Sequence, residues 1–280
     1  MLWTSGGRSP NLEDRRSSGG GGGGIGRGLG LGGTVIVLAL SVIFGRNLFT
    51  DLGVEPAGVT TTAAPMTPAD SAAEETEVQF VSFVLDDVQN TWAAILPNYG
   101  ARYHPAKLVL FRNSTDSGCG TAQSVVGPFY CPVDERVYLD LGFFDELRQR
   151  FGASGDFAQA YVIAHELGHH VQHLLGTDAR LRQAQESNPS QGNQLSVQLE
   201  LQADCYAGVW AHSTEQRRLL QQGDVEEALN AASAVGDDRI QQRTTGRINV
   251  DSFTHGSAAQ RSASFRRGLE SGDPRSCKTL

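Results

Sequence analysis

Apolar and polar positions divide the chain into stretches of different character. Residues 1–27 show no apolar periodicity, and RSSGGGGGGIGRG has nothing to bury, which predicts a disordered Gly-rich tail. Residues 28–49 are then almost uncharged. TVIVLALSVIF (34–44) is continuously apolar apart from Thr34 and Ser41. Extended through Leu29, Leu31, Leu48 and Phe49, the run reaches the about 20 residues that a membrane-spanning helix needs. Residues 50–76 contain EPAGVTTTAAPMTPAD, rich in Pro, Thr and Ala and without periodicity, and predict a linker. Regular spacing begins at Glu77, so 77–280 is expected to be one folded domain.

Within that domain helical spacing dominates. VQFVSFVLDDVQNTWAAIL (78–96) predicts a helix stopped by Pro97, and FFDELRQRF (143–151) a short helix closed by Gly152. Further helices are expected over 156–175, ended by Gly176, over 194–211, after Asp224, and after Ser257, where Gln260 completes a capping box. AKLVLF (106–111) and RVYLDL (136–141) read as strands, VYLDL being a candidate edge for adding an extended peptide. The expected class is α+β, mainly helical with a small sheet, preceded by one transmembrane helix.

Charge adds direction. The net charge of −8 and the lack of a Lys/Arg cluster argue against a nucleic-acid partner. Arg8, Arg15, Arg16 and Arg27 precede the apolar run. After Arg46 no Lys or Arg occurs until Arg102, while Asp51, Glu55, Asp70, Glu74, Glu75 and Glu77 accumulate. The positive-inside rule then predicts a single-pass protein of the cell membrane, N-terminus cytoplasmic and domain extracytoplasmic. A cleaved signal peptide fits less well, because no small-x-small site closely follows the run. Cys119, Cys131, Cys205 and Cys277 allow three pairings. An oxidising compartment favours disulfides, with Cys119–Cys131 as the local bridge and Cys205–Cys277 tying the tail to a central helix. The close thiol pairs of a four-cysteine zinc site are absent.

The chemistry concentrates in YVIAHELGHHVQHLLG (161–176), which holds four of the seven histidines. On a helix His165 and His169 share a face one turn apart, and Glu166 lies beside them as a base for water, the H-E-x-x-H arrangement of zinc peptidases. His173 continues the series but stands about 12 Å from His165 by helical rise, too far to share one ion. His170 points elsewhere and reads as a packing or solvent residue. Gly168 would let another backbone approach. A catalytic zinc takes three protein ligands. LELQADCYAGVW (199–210) offers Glu200 as the third and Asp204, one turn on, as the hydrogen-bond acceptor that orients a ligand histidine. The plain alternative for both is a solvated helix face, which their apolar neighbours oppose.

HELGHHVQ, LELQADCYAGVWA, GPFYCPVDERVYLD, FTHGSAAQR, ESGDP and the N-terminal NLEDRR together make the whole chain resemble the bacterial putative neutral zinc metallopeptidase family. The downstream E-x-x-x-D is also similar to gluzincins. The resemblance implies a zincin-like domain with one Zn²⁺ per chain on His165, His169 and Glu200, Glu166 as general base, Asp204 behind the ligands, and a protein or peptide substrate. Gluzincins use a downstream His or Tyr on the oxyanion, which makes His255 a candidate. A capping or surface role is its alternative, and Tyr103 and His104 are weaker candidates. The competing function is a membrane-anchored zinc-binding scaffold or chaperone without catalysis, and the base Glu166 argues against it. A zinc-free helical domain is opposed by the Glu200–Asp204 pair. Substrate preference and oligomeric state leave no mark in the sequence.

Overall fold

In the computed structural model, which describes residues 1–18, 28–29, 55–56, 68–124 and 127–278, the spacing seen over 78–96 belongs to a longer helix, α1 (Pro68–Ile95). Pro68 suits a first helical position, and the Ala- and Glu-rich stretch after it favours helix, so the domain reaches back into the expected linker 50–76. The remaining helices are α2 (Gly142–Gln149), α3 (Asp156–Leu174), α4 (Thr177–Ser187), α5 (Gly192–Gln216), α6 (Asp224–Ala234), α7 (Asp237–Thr244) and α8 (Ala258–Ser271). Gly176, just past α3, adopts φ 67°, the left-handed conformation that ends a helix at little cost to glycine. Ser257 and Gln260 form the expected capping box on α8. The polar helices α4 and α7 carry too little apolar periodicity to be read from sequence.

α3 runs through the middle of the molecule, buried from Phe157 to Val171 except at Gln159 and His169, and packs on α1, α5 and α6. Two backbone approaches set its surroundings. A Cβ on Gly168 would lie 3.0 Å from the Ala203 carbonyl oxygen, so α3 and α5 touch midway between His165–His169 and Glu200–Asp204. Farther along, Gly208 on α5 faces Phe265 and Gly268 on α8, and Gly268 faces Cys205, with no room for a side chain at either glycine. That crossing delivers the start of α8 to the same place.

The sheet contains β1 (Leu12–Asp14), β2 (Lys107–Phe111), β5 (Phe129–Cys131) and β6 (Arg136–Asp140), in the order β1-β2-β6-β5. β1–β2 and β2–β6 are parallel, and β5–β6 is antiparallel, with Tyr130 opposite Val137. A hairpin, β3 (Ser114–Ser117) and β4 (Gly120–Gln123), stands beside it. Leu108, Leu110, Val137 and Leu139 face the helices, while Val109, Phe111, Tyr138 and Cys131 form a second apolar cluster with Ala122 of the hairpin. Burial on both faces explains why the strands read as apolar runs. VYLDL is not an edge: β6 lies inside the sheet, and β5 and β1 are its end strands. The disulfides are Cys119–Cys131, from hairpin to β5, and Cys205–Cys277, from α5 to the C-terminal segment.

Residues 1–18 correct the reading of 1–27 as a disordered tail. Leu12–Asp14 pairs with Leu108–Leu110 as a strand of the sheet. Arg8 binds Glu75, Arg16 binds Glu74 at 2.8 Å, and Arg136 binds Glu13 at 2.9 Å. The polar composition that suggested disorder is answered by charges far away in sequence. The expected membrane span at 28–49 lies outside the described residues except for Gly28–Leu29, which pairs with Glu55–Pro56. Among the described residues, no helix is long and apolar enough to cross a membrane.

Candidate metal centre

The i, i+4 spacing on α3 brings His165 and His169 side by side, their rings nearly perpendicular with centroids 4.8 Å apart. From α5, Glu200 reaches both: Oε2 lies 3.3 Å from His165 Nε2 and Oε1 lies 3.4 Å from His169 Nε2. These three side chains are one group able to hold a metal ion. The donor set fits zinc in kind, two imidazole nitrogens and a carboxylate oxygen. One ligand atom from each residue lies within 4.8 Å of the other two, close enough for a single ion. Burial opposes the Glu200 charge, but His169 and His165 outweigh it and hold the carboxyl well below its ordinary range.

Each of the two histidines has its other nitrogen engaged. His165 Nδ1 lies 2.8 Å from Asp204 Oδ1. Asp204 has no exposure and is held from three further sides: Tyr161 donates its hydroxyl, and Arg261 donates through Nε to Oδ2 and through Nη2 to Oδ1, both at 2.9 Å. This bidentate pair overcomes the cost of burial and lowers the Asp204 pKa. His169 Nδ1 instead meets Gln172 Oε1 at 2.8 Å. Arg261, Tyr161 and Gln172 were not found from the sequence, though signals existed. Arg261 lies on the stripe 258, 261, 265, 268 of α8, where an arginine among small and apolar residues needs a partner. Tyr161 and Gln172 fall one turn from His165 and His169 on the same helix.

Glu166 sits beside the two histidines, nearly buried, and burial raises its pKa against the opposing pull of His165 and His169. His255 is carried by the loop before α8. Asp237 at the start of α7 accepts the backbone N–H groups of Thr254, His255 and Gly256, and its Oδ1 lies 3.3 Å from His255 Nδ1. Burial would lower the His255 pKa, but Asp237 and Glu200 outweigh it, so the imidazolium is favoured beside the candidate metal group. The other histidines face away. His170 is fully buried between Tyr130 Oη (3.0 Å) and the His104 carbonyl (2.8 Å), and burial lowers its pKa to about 4. His173 meets Asp178, and His104 meets Glu135. Tyr103 stacks edge-on against His170. A second acidic group, Asp156, Asp224 and Glu227, holds the Met1 ammonium through its two aspartates.

Over 286 aligned residues the chain is 46% identical to "Uncharacterized protein YpfJ" of Escherichia coli, covering 100% of this chain and 99% of the relative. It is 48% identical over 206 residues to "Uncharacterized protein Rv2575" of Mycobacterium tuberculosis, covering 70% of this chain and 68% of the relative. No solved structure matches it. The family described as "Putative neutral zinc metallopeptidase" matches residues 1–280, from the N-terminal strand through the H-E-x-x-H helix to the tail, and the chain belongs to that family.

Proposed function

We propose that the protein is a zinc-dependent peptidase in which His165, His169 and Glu200 hold the ion and Glu166 is the general base. The observation that carries this reading is the convergence of both imidazole Nε2 atoms on the Glu200 carboxylate, with Glu166 on the adjoining turn. Zinc, when bound there, supplies a Lewis acid that polarises the scissile carbonyl and brings the pKa of water towards about 7. Glu166 takes the proton of the attacking water and hands it to the leaving amine. Burial raises its pKa, which strengthens it as the base that accepts the proton. Asp204, itself fixed by Arg261, keeps the His165 proton on Nδ1 and leaves Nε2 free to ligate. His255 donates a hydrogen bond to the developing oxyanion, its protonated form favoured by Asp237 and Glu200. An extended substrate pairs with the end strand β5, which reaches α3 through Tyr130 and His170.

The test is zinc content and cleavage of casein or a peptide library by the full chain, with and without chelator. One zinc per chain and chelator-sensitive cleavage support the reading; one zinc with no cleavage of any peptide favours the scaffold. His255→Ala is expected to lower kcat by about 10²–10³-fold with zinc content unchanged, read from steady-state kinetics beside metal analysis. Unchanged kcat would return His255 to its capping role.

Zinc affinity should also depend on pH. Burial disfavours the His165 charge, but Asp204 and Glu200 more than compensate and push its pKa up to about 10. At neutral pH the metal-free imidazole is therefore protonated, and binding must expel that proton. Affinity is expected to rise about tenfold per pH unit between about pH 6 and 8. Calorimetry in buffers of different ionisation enthalpy checks it, and binding without proton release would contradict it.

The disulfides support an oxidising compartment. With residues 1–18 built into the domain by β1, the N-terminal segment and the metal site belong on one side of any membrane that the 28–49 stretch meets, in place of the opposite sides expected from a single span.

A further inference from the structure

The two ligand histidines are backed by different chemistry. Behind His165 stands a buried ion pair whose charges fix its direction. Behind His169 stands a neutral amide, and an amide can face either way unless its surroundings decide. Here they do. Gln172 has no exposure; its Oε1 faces His169 Nδ1, while its Nε2 donates to the Leu199 carbonyl at 2.7 Å and to Gln202 Oε1 at 3.0 Å. Turning the amide over would set an N–H₂ against the ring N–H and an oxygen against two oxygens. All three hydrogen bonds of this buried side chain would be lost together.

The direction of Gln172 depends in turn on Gln202, because Gln202 must present Oε1 rather than its own N–H₂. That choice is made by Gln202 Nε2, which donates to the Cys277 carbonyl at 2.7 Å. Cys277 is bonded to Cys205, which directly follows Asp204 on α5. One path of directed amides therefore runs from the disulfide-tied C-terminal segment to the Nδ1 proton of His169.

We propose that Gln172 is a positioning residue for the ligand His169 and that the Cys205–Cys277 tether, acting through Gln202, sets its direction, so that the C-terminal segment tunes metal affinity. The proposal rests on the metal reading of His165, His169 and Glu200, and it is independent of whether the protein cleaves peptides. The tail carries no ligand, yet it defines which nitrogen of a ligand bears the proton.

The experiment is zinc affinity of the full chain by competition with a chromophoric chelator. Gln172→Leu is expected to weaken binding about 10–100-fold. Gln202→Leu and the Cys205→Ser, Cys277→Ser pair should each weaken it about tenfold, and the three substitutions together no more than either alone, because both break the same path. Melting of the metal-free variants separates loss of fold from loss of affinity. A Kd for Gln172→Leu within about twofold of wild type overturns the proposal, as do multiplying effects of Gln202→Leu and the tether. Should the tether variant fail to fold, Gln202→Leu in the disulfide-bonded chain decides: weakened binding supports the path, unchanged binding overturns it. Zinc bound equally well by His169→Ala would remove the metal centre itself, a failure distinct from that of the relay.

Discussion

Glu166→Gln is expected to lower kcat/KM by about 10²–10⁴-fold while leaving one zinc per chain. The substitution keeps the shape of the side chain and removes its capacity to accept a proton. It leaves the donor set intact, because the atoms that converge are the Nε2 atoms of His165 and His169 and the Glu200 carboxylate. Folding should survive as well: Glu166 is nearly buried and burial already disfavours its charge, so a neutral amide leaves no stranded ion. Peptide cleavage and metal content measured on the same preparation decide the outcome. Full activity in the variant would end the assignment of Glu166 as base. Loss of zinc would make it a ligand and displace Glu200 from that role.

Why this site could be found in a sequence, and what could not, follows from the range of its contacts. His165, Glu166 and His169 are related by helical spacing alone, and Glu200 with Asp204 by the same spacing on a second helix. Local periodicity therefore places each half, and the two halves meet because Gly168 lets α3 and α5 touch. Arg261 lies 57 residues from Asp204 in a helix of small and polar residues, and it arrives through the Gly208–Gly268 crossing, which no local pattern announces. Gln172 was hidden differently, since a glutamine is an acceptor for His169 only once Leu199 and Gln202 have fixed its amide. The N-terminal strand failed for a third reason. Its arginines and glutamates look solvated in sequence, and their partners on α1 and β6 are brought near only by the folded sheet. The long helices and inner strands were legible because apolar spacing, caps and stop signals agree, whereas α4 and α7 lie in polar stretches where they do not.

Arg261→Met is expected to cost the metal-free protein about 3–5 kcal/mol, a large part of the about 5–15 kcal/mol that a domain has. Arg261 is 4% exposed and gives Asp204 two hydrogen bonds, so its removal leaves a carboxylate with no exposure relying on Tyr161 and His165 among the described residues. The pH dependence carries a sign. The Asp204 pKa is below its ordinary value in the folded chain, with Arg261 the strongest lowering influence against burial. The stability it contributes is thus present at neutral pH and lost as pH falls through the folded pKa. Without Arg261 that pKa rises, and acid unfolding should begin at higher pH than in wild type. Arg261→Lys keeps the charge but not the paired donors and should fall between the two. Zinc should restore part of the loss, because an ion that binds the folded chain and not the unfolded one adds its binding free energy to stability. Denaturant and acid titrations of the three proteins, metal-free and zinc-loaded, supply the comparison. If Arg261→Met matched wild type within about 0.5 kcal/mol in the metal-free state, the buried pair would not be what holds Asp204 ionised behind His165.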